Sequence, residues 1–208
     1  TFGLSQAMDY IRANLPSDLS AKGPATAEAS AKEGLPDSSK FDLCRRPTGG
    51  GLVDHRNDWT YCLVIPRAHP LCDAPATQAY RDVHAALAAA MQALGQPVAL
   101  QETRHPGEEG PTICFERSEL YDVLNTAIGQ KIAGAAMKRN KHGLLLQGSI
   151  EKSRVGAIDW EKFQDRFEAE LARTLGAVLT PTPWPEISEF EVEGLIEQYS
   201  SPEWMEHR

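Results

Sequence analysis

The chain predicts an α+β fold, a mainly antiparallel mixed sheet with packed helices. Three stretches lead there. "WTYCLVI" at 59–65 is a β-branched and aromatic run stopped by Pro66. From Ala76 to Leu94, Ala79, Val83, Leu87, Met91 and Leu94 keep three- and four-residue steps, and Gly95 closes the helix. "IGQKIAGAAMKRNKHGLLLQGSI" at 128–150 reads as two successive hairpins turning near Gly129 and His142–Gly143. Consecutive hairpins beside separate helices indicate α+β rather than a repeating βαβ order.

The remaining elements follow in order. "TFGL" reads as the end of a strand and "SQAMDYIRANL" as a short helix with Met8, Ile11 and Leu15 on one face. Residues 16–40 are rich in Pro, Ala, Ser and Gly without a sustained period, the composition of a mobile surface loop. Strands are expected at about 41–46 and 51–55, with three glycines between them, and the run at 59–65 is expected to be a buried strand. "PVAL" at 97–100, "TICF" at 112–115 and "YDVLN" at 121–125 are strand-like, and 103–111 is a polar loop. Asp159 is placed to cap a helix reaching about Leu175, with Trp160, Phe163, Phe167 and Leu171 on one face. "SEFE" at 188–191 is a capping box for a last helix ending near Tyr199.

Composition narrows the function. With 208 residues, the chain is long enough to bury a core without metal or disulfide staples. No apolar run approaches the roughly 18 residues of a membrane span, and no secretory signal is visible, so no membrane partner and a cytoplasmic location are expected. Cys44, Cys62, Cys72 and Cys114 show no CxxC spacing, which argues for free thiols and no metal site. A net charge of −8 argues against nucleic-acid binding. The exception is 131–142, where Lys131, Lys138, Arg139 and Lys141 occur without an acid. Such a run suits a local anionic partner or a solvated hairpin.

"RRPTGGGLVDH" at 45–55 carries the first chemical signal. Glycine lets backbone approach a ligand closely, and successive N–H groups can form an anion-binding concavity. Arg46 can add a planar fork for a carboxylate or phosphate. The same three glycines also suit a plain hairpin turn. Neither a Walker nor a Rossmann spacing is present.

The full stretch "RRPTGGGLVDHRNDWTYCLVIP" resembles the signature of the lipoate–protein ligase and octanoyltransferase family, within the superfamily shared with biotin ligases. Arg45, Arg46, Thr48, Gly49, Gly50, Gly51, Val53 and His55 match RRxTGGGxVxH, and Thr60 and Tyr61 match the strand that follows. "GQKIAGAAMKRNKHGLLLQGSI" is similar to the family's second block, and "EVEGLIEQYSSPEW" to its terminal element. The resemblance implies one catalytic domain over 1–208, without the larger accessory domain of some ligases. It also places a helix and strands upstream of Thr1 in the family.

What the resemblance implies about chemistry is specific. The family attaches octanoyl or lipoyl groups to one lysine of a lipoyl domain or of the glycine-cleavage H protein. Lys131 matches the family's lysine, which polarises the reacting carbonyl. Arg46, Thr48, Gly49, Gly50, Gly51, His55, Gly134 and Gly148 would surround the ligand. "CFERSELYDV" is similar to the segment of cysteine-dependent octanoyltransferases in which Cys114 would take octanoyl from an acyl-carrier protein as a thioester, with no cofactor. Cys114 also suits a small buried hydrophobe, and Cys62 reads as packing. Two alternatives stay open: an ATP-dependent ligase using free lipoate, ATP and Mg²⁺, and a non-catalytic binder of lipoate or a lipoyl domain. "AGAAM" at 133–137 lacks the serine and glutamine often found in the family.

Overall fold

In the computed structural model, residues 1–13, 43–103 and 118–206 are described. The elements are α1 (Met8–Ala13), β1 (Asp58–Pro66), α2 (Ala76–Ala93), β2 (Val98–Leu100), β3 (Val123–Asn125), β4 (Gln130–Arg139), β5 (Gly143–Glu151), α3 (Trp160–Leu175), α4 (Glu189–Ser200) and α5 (Pro202–Met205). The strands form one antiparallel sheet in the order β1-β5-β4-β3-β2. Both expected hairpins are present: Gly129 turns β3 into β4 with φ 67°, and 140–142 turn β4 into β5.

Strand alternation sorts the sheet into two faces. Ala133, Leu146 and Ile150 are buried on one of them, against Val83, Leu87 and Met91 of α2 and Phe163 and Phe167 of α3. Asp159 caps α3 by accepting from the Lys162 N–H, and Gly176 ends it in the left-handed conformation with φ 63°. The rings of Trp59 and Tyr61 meet Phe167 edge-on, with centroids 6.2 and 5.2 Å away, so α3 covers β1 as well as the sheet centre. The opposite face presents Thr60, Gln147, Ser149, Gly134 and Ala136, and against it lies the segment from Arg45 to His55.

Three expectations change. Residues 43–46 and 51–55 belong to no ladder. Arg45 makes a single parallel bridge to Phe2, and Val53 donates its N–H to the Thr1 carbonyl. "TFGL" thus pairs with the signature segment through isolated bonds instead of ending a strand. The strand at 59–65 is only half buried, because β1 is the sheet edge and its outer face carries Thr60, Cys62 and Val64. Cys62 is accordingly exposed rather than packed. The loop at 16–40, the strand at 112–115 and most of 103–111 lie outside the described residues. α4 has the expected Ser188–Glu191 capping box, yet none of its residues is buried.

Replacing Phe163 with alanine empties a ring position at the centre of the α2–α3–sheet core. Loss of about 3–5 kcal/mol is expected in urea unfolding. A change within about 0.5 kcal/mol is expected for Lys162→Ala on the exposed face of the same helix.

Candidate active site

The two arginines of the signature do different work. Arg45 is fully buried and spans the chain termini. Its Nε and Nη2 donate to the Met205 carbonyl at 2.9 and 2.7 Å, Nη1 donates to the Leu4 carbonyl, and the guanidinium lies 4.8 Å from the Phe2 ring centroid. Trp204 Nε1 returns a bond to the Arg45 carbonyl at 2.8 Å, and Tyr199 packs edge-on against Trp204. The terminal "YSSPEW" element is thus the lock over Arg45. Arg46 turns the other way. Its Nη2 donates to the carbonyls of Gly49 at 2.7 Å and Gly51 at 3.0 Å, and Nε also reaches Gly49. The fork expected to meet an anion also braces the glycine loop from within.

The glycines are needed for different reasons. Gly50 has φ 93°, and a Cβ there would stand 2.7 Å from Arg46 Nη2. Gly49 faces open space. Gly3 lies so close to the Gly50 carbonyl that any side chain would collide with it. Thr48 donates its hydroxyl to Gln147 Oε1 at 3.0 Å and anchors the loop to β5. His55 donates from Nδ1 to Asp58 at 2.5 Å and meets the Thr1 hydroxyl at 2.7 Å through Nε2; Asp58 also accepts from Ser149. His55 is therefore already engaged through both ring nitrogens.

Lys131 reaches this face through an irregularity. In an even strand, residues 131 and 134 point to opposite sides. Here Val123 pairs with Ala133 and its neighbour Leu124 with Lys131, so β4 carries one extra residue. Ile132 and Ala133 both enter the core, and Lys131 folds over Gly134. A Cβ on Gly134 would stand 2.7 Å from Lys131 Cε and 2.8 Å from Nζ. Lys131 Nζ lies 2.7 Å from Asp122 Oδ2, with both side chains buried. Arg154 donates to the Lys131 carbonyl at 2.9 Å beside the bulge. On the helix side, Gly148 leaves room for the Tyr61 ring. The Tyr61 hydroxyl is buried without a hydrogen-bond partner among the described residues, and burial, with Asp122 nearby, pushes its pKa up.

A cleft of about 1640 Å³ runs along β1 and opens to both faces of that edge. Arg46, Gly50, His55, Gly134 and Gly148 line it. Thr48 and Gly49 shape the loop, Gly51 is buried behind it, and Lys131 lies against Gly134. Cys114 lies outside the described residues. Asp122 lies within the stretch "CFERSELYDV" and His84 on the buried face of α2, and neither carries a spacing signal of its own. Among the described residues no group of three or more His, Cys, Asp or Glu side chains is placed to hold a metal, and no helix is long and apolar enough to cross a membrane.

An antiparallel sheet backed by two helices is a fold that this chain shares with solved lipoate protein ligases. A T. acidophilum protein assigned as a lipoate protein ligase and solved with bound lipoic acid superposes with a TM-score of 0.62 at 19% identity, covering 98% of this chain and 79% of that one. A lipoate-protein ligase A bound with ATP superposes at 0.55 with 19% identity, covering 78% of this chain and 70% of that one. The family model described as "Lipoyl protein ligase A/B catalytic domain" matches residues 27–153, and the chain belongs to that family. Among curated relatives, Octanoyltransferase LipM of Symbiobacterium thermophilum is 30% identical, with 79% of this chain and 73% of the relative covered. Octanoyltransferase LipM of Staphylococcus aureus is 28% identical, with coverages of 79% and 74%.

Two glycine substitutions separate the roles of the two faces. Gly148→Ala forces a rigid ring to move and is expected to destabilise by about 1–3 kcal/mol in chemical denaturation. Gly134→Ala meets the flexible end of Lys131 and, at 3.0 Å, Asp122 Oδ1, and is expected to cost less than moving the ring. A pH effect follows from His84, whose pKa burial lowers from the ordinary 6.5 despite the opposing pull of Asp122. Below that value the unfolded ring takes up protons that the folded ring resists, so the stability contribution is present above pH 6.5 and is lost as pH falls. Removing the ring by His84→Asn should flatten the slope of stability against pH in that window, read from urea midpoints.

Proposed function

We propose that this protein transfers an octanoyl group from an acyl-carrier protein to the acceptor lysine of a lipoyl domain or a glycine-cleavage H protein. The observation that carries the reading is Lys131, brought by the β4 bulge to the same face as the glycine loop and held at 2.7 Å by Asp122. A buried ammonium fixed in this way is suited to stabilise the oxyanion that forms when a thioester or acyl-enzyme carbonyl is attacked. Membership of the lipoyl ligase family and the octanoyltransferase relatives support the substrate class.

Two steps complete the transfer. The Cys114 thiolate attacks the thioester carbonyl, forming a new C–S bond as the carrier's C–S bond breaks, and the departing carrier thiolate takes a proton from solvent. The acceptor lysine amine then attacks that acyl group, an amide forms, Cys114 is released, and the amine proton passes to solvent. The thioester is already activated, so this route uses no cofactor. Around the ligand, the loop Thr48–Gly49–Gly50–Gly51 braced by Arg46 presents backbone at the polar end, with His55 and Gly148 along the cleft. Gly134 leaves open the space that Lys131 Nζ occupies. ATP and Mg²⁺ belong to the alternative in which free lipoate is the donor. The domain boundaries implied by the family, one catalytic unit over 1–208, are part of the same proposal.

The test is intact-protein mass spectrometry with octanoyl–acyl-carrier protein in the absence of ATP. One octanoyl adduct is expected, absent in Cys114→Ser and discharged by an acceptor lipoyl domain. Lys131→Ala should lower transfer about 10²–10³-fold. Acceptor modification only on addition of free lipoate with Mg·ATP would overturn the transferase reading.

A further inference from the structure

We propose that His84, on α2, is a positioning residue for Lys131, acting through the backbone of Tyr121. The proposal rests on the reading that Lys131 serves the transfer. Tyr121 has φ 70°, the one non-glycine residue at positive φ among the described residues. A bulky side chain rarely holds that conformation, so something must compensate. His84 supplies it: its Nδ1 lies 2.6 Å from the Tyr121 carbonyl. A carbonyl only accepts, so Nδ1 carries the proton and the neutral ring is fixed in one tautomer. The ring is buried, and Nε2 has no hydrogen-bond partner among the described residues. A polar ring is thus held in an apolar face of α2 for a single hydrogen bond.

What that bond holds is the turn that aims Asp122. Tyr121 donates its N–H to the Gln101 carbonyl at 2.7 Å, and Gln101 donates back to the Asp122 carbonyl at 2.8 Å. The Glu119 N–H donates to Asp122 Oδ2 at 2.7 Å, the same oxygen that meets Lys131 Nζ. Residue 121 is therefore the pivot between a helix of the core and the carboxylate that sets the lysine. Relaxing Tyr121 to negative φ would rotate the next peptide and swing Asp122 away from Lys131. The one hydrogen bond of His84 goes to the Tyr121 carbonyl, and Asp122 and Lys131 act on its ring only through their charges, so its hold on the turn passes through the pivot.

Two readouts test the clamp. The first is kcat and KM with the octanoyl carrier, measured per folded molecule. The second is the rate at which an acetyl succinimide ester labels Lys131, read by peptide mass spectrometry. In His84→Leu, kcat is expected to fall roughly 10²-fold with KM unchanged, and Lys131 labelling to rise. His84→Asn, which keeps an N–H donor, should stay near the wild type. Tyr121→Val, whose branched side chain rejects positive φ, should reproduce His84→Leu without touching the ring and decides the matter if His84→Leu does not fold. Adding Tyr121→Gly to His84→Leu should recover both readouts, because glycine holds this conformation unaided. Unchanged Lys131 labelling in folded His84→Leu or Tyr121→Val would overturn the proposal. Full transfer by Lys131→Ala would instead overturn the functional reading, with labelling still reporting on the clamp in the other variants.

Discussion

A pleated strand sends successive side chains to opposite faces, and β4 breaks that rule once. The extra residue at Ile132 lets Lys131 and Gly134, three positions apart, share the face that carries the glycine loop. Without it, either Lys131 would point into the aliphatic core or Ala133 would leave it. A lone ammonium among Leu146, Ile150 and Phe163 would be costly to bury. The bulge avoids this, the Arg154 bond caps the Lys131 carbonyl beside it, and Asp122 pairs the charge. The cost of burying such a pair is offset only by good geometry and added hydrogen bonds. That explains why the carboxylate is itself tied to the Glu119 N–H and the neighbouring peptide to Gln101.

The glycine loop faces the same problem with backbone in place of side chains. A loop with exposed amides and few side chains has little to hold it rigid. Arg46 fixes it by gripping two of its carbonyls, Thr48 by binding Gln147, and Gly3 by packing directly on it. Arg45 then ties the segment to both ends of the described chain through Leu4 and Met205. The signature is thus largely a set of internal braces that keep a short stretch of backbone preorganised at the mouth of the cleft.

Much of this was legible in the sequence because it was local. The β1 run, the α2 period, the Asp159 cap, the Ser188–Glu191 box and the turns at Gly129 and His142–Gly143 all depend on neighbours within a few residues. What needed tertiary structure was not. No spacing separates the buried Arg45 from the loop-bracing Arg46, since their partners lie in segments far away in the chain. The half exposure of β1 depends on its place at the sheet edge, which moved Cys62 from packing to surface. The segments flanking the glycines have extended backbone but find partners at Thr1 and Phe2 instead of in a ladder. Bulge and clamp were hidden for another reason: an inserted residue and a positive φ at a tyrosine leave no trace in hydrophobic period.

The proposed transfer requires the reacting carbonyl to lie between the braced loop and Lys131, on the sheet face away from the helices. The most direct measurement is a crystal structure with a stable octanoyl amide of a short lysine peptide bound. The amide oxygen is expected within about 3 Å of Lys131 Nζ, with the backbone at 48–51 around the polar end. The cleft also opens between β1 and α3, beside Phe167 and Leu171. An octanoyl chain seated there, with its carbonyl remote from Lys131, would contradict the account.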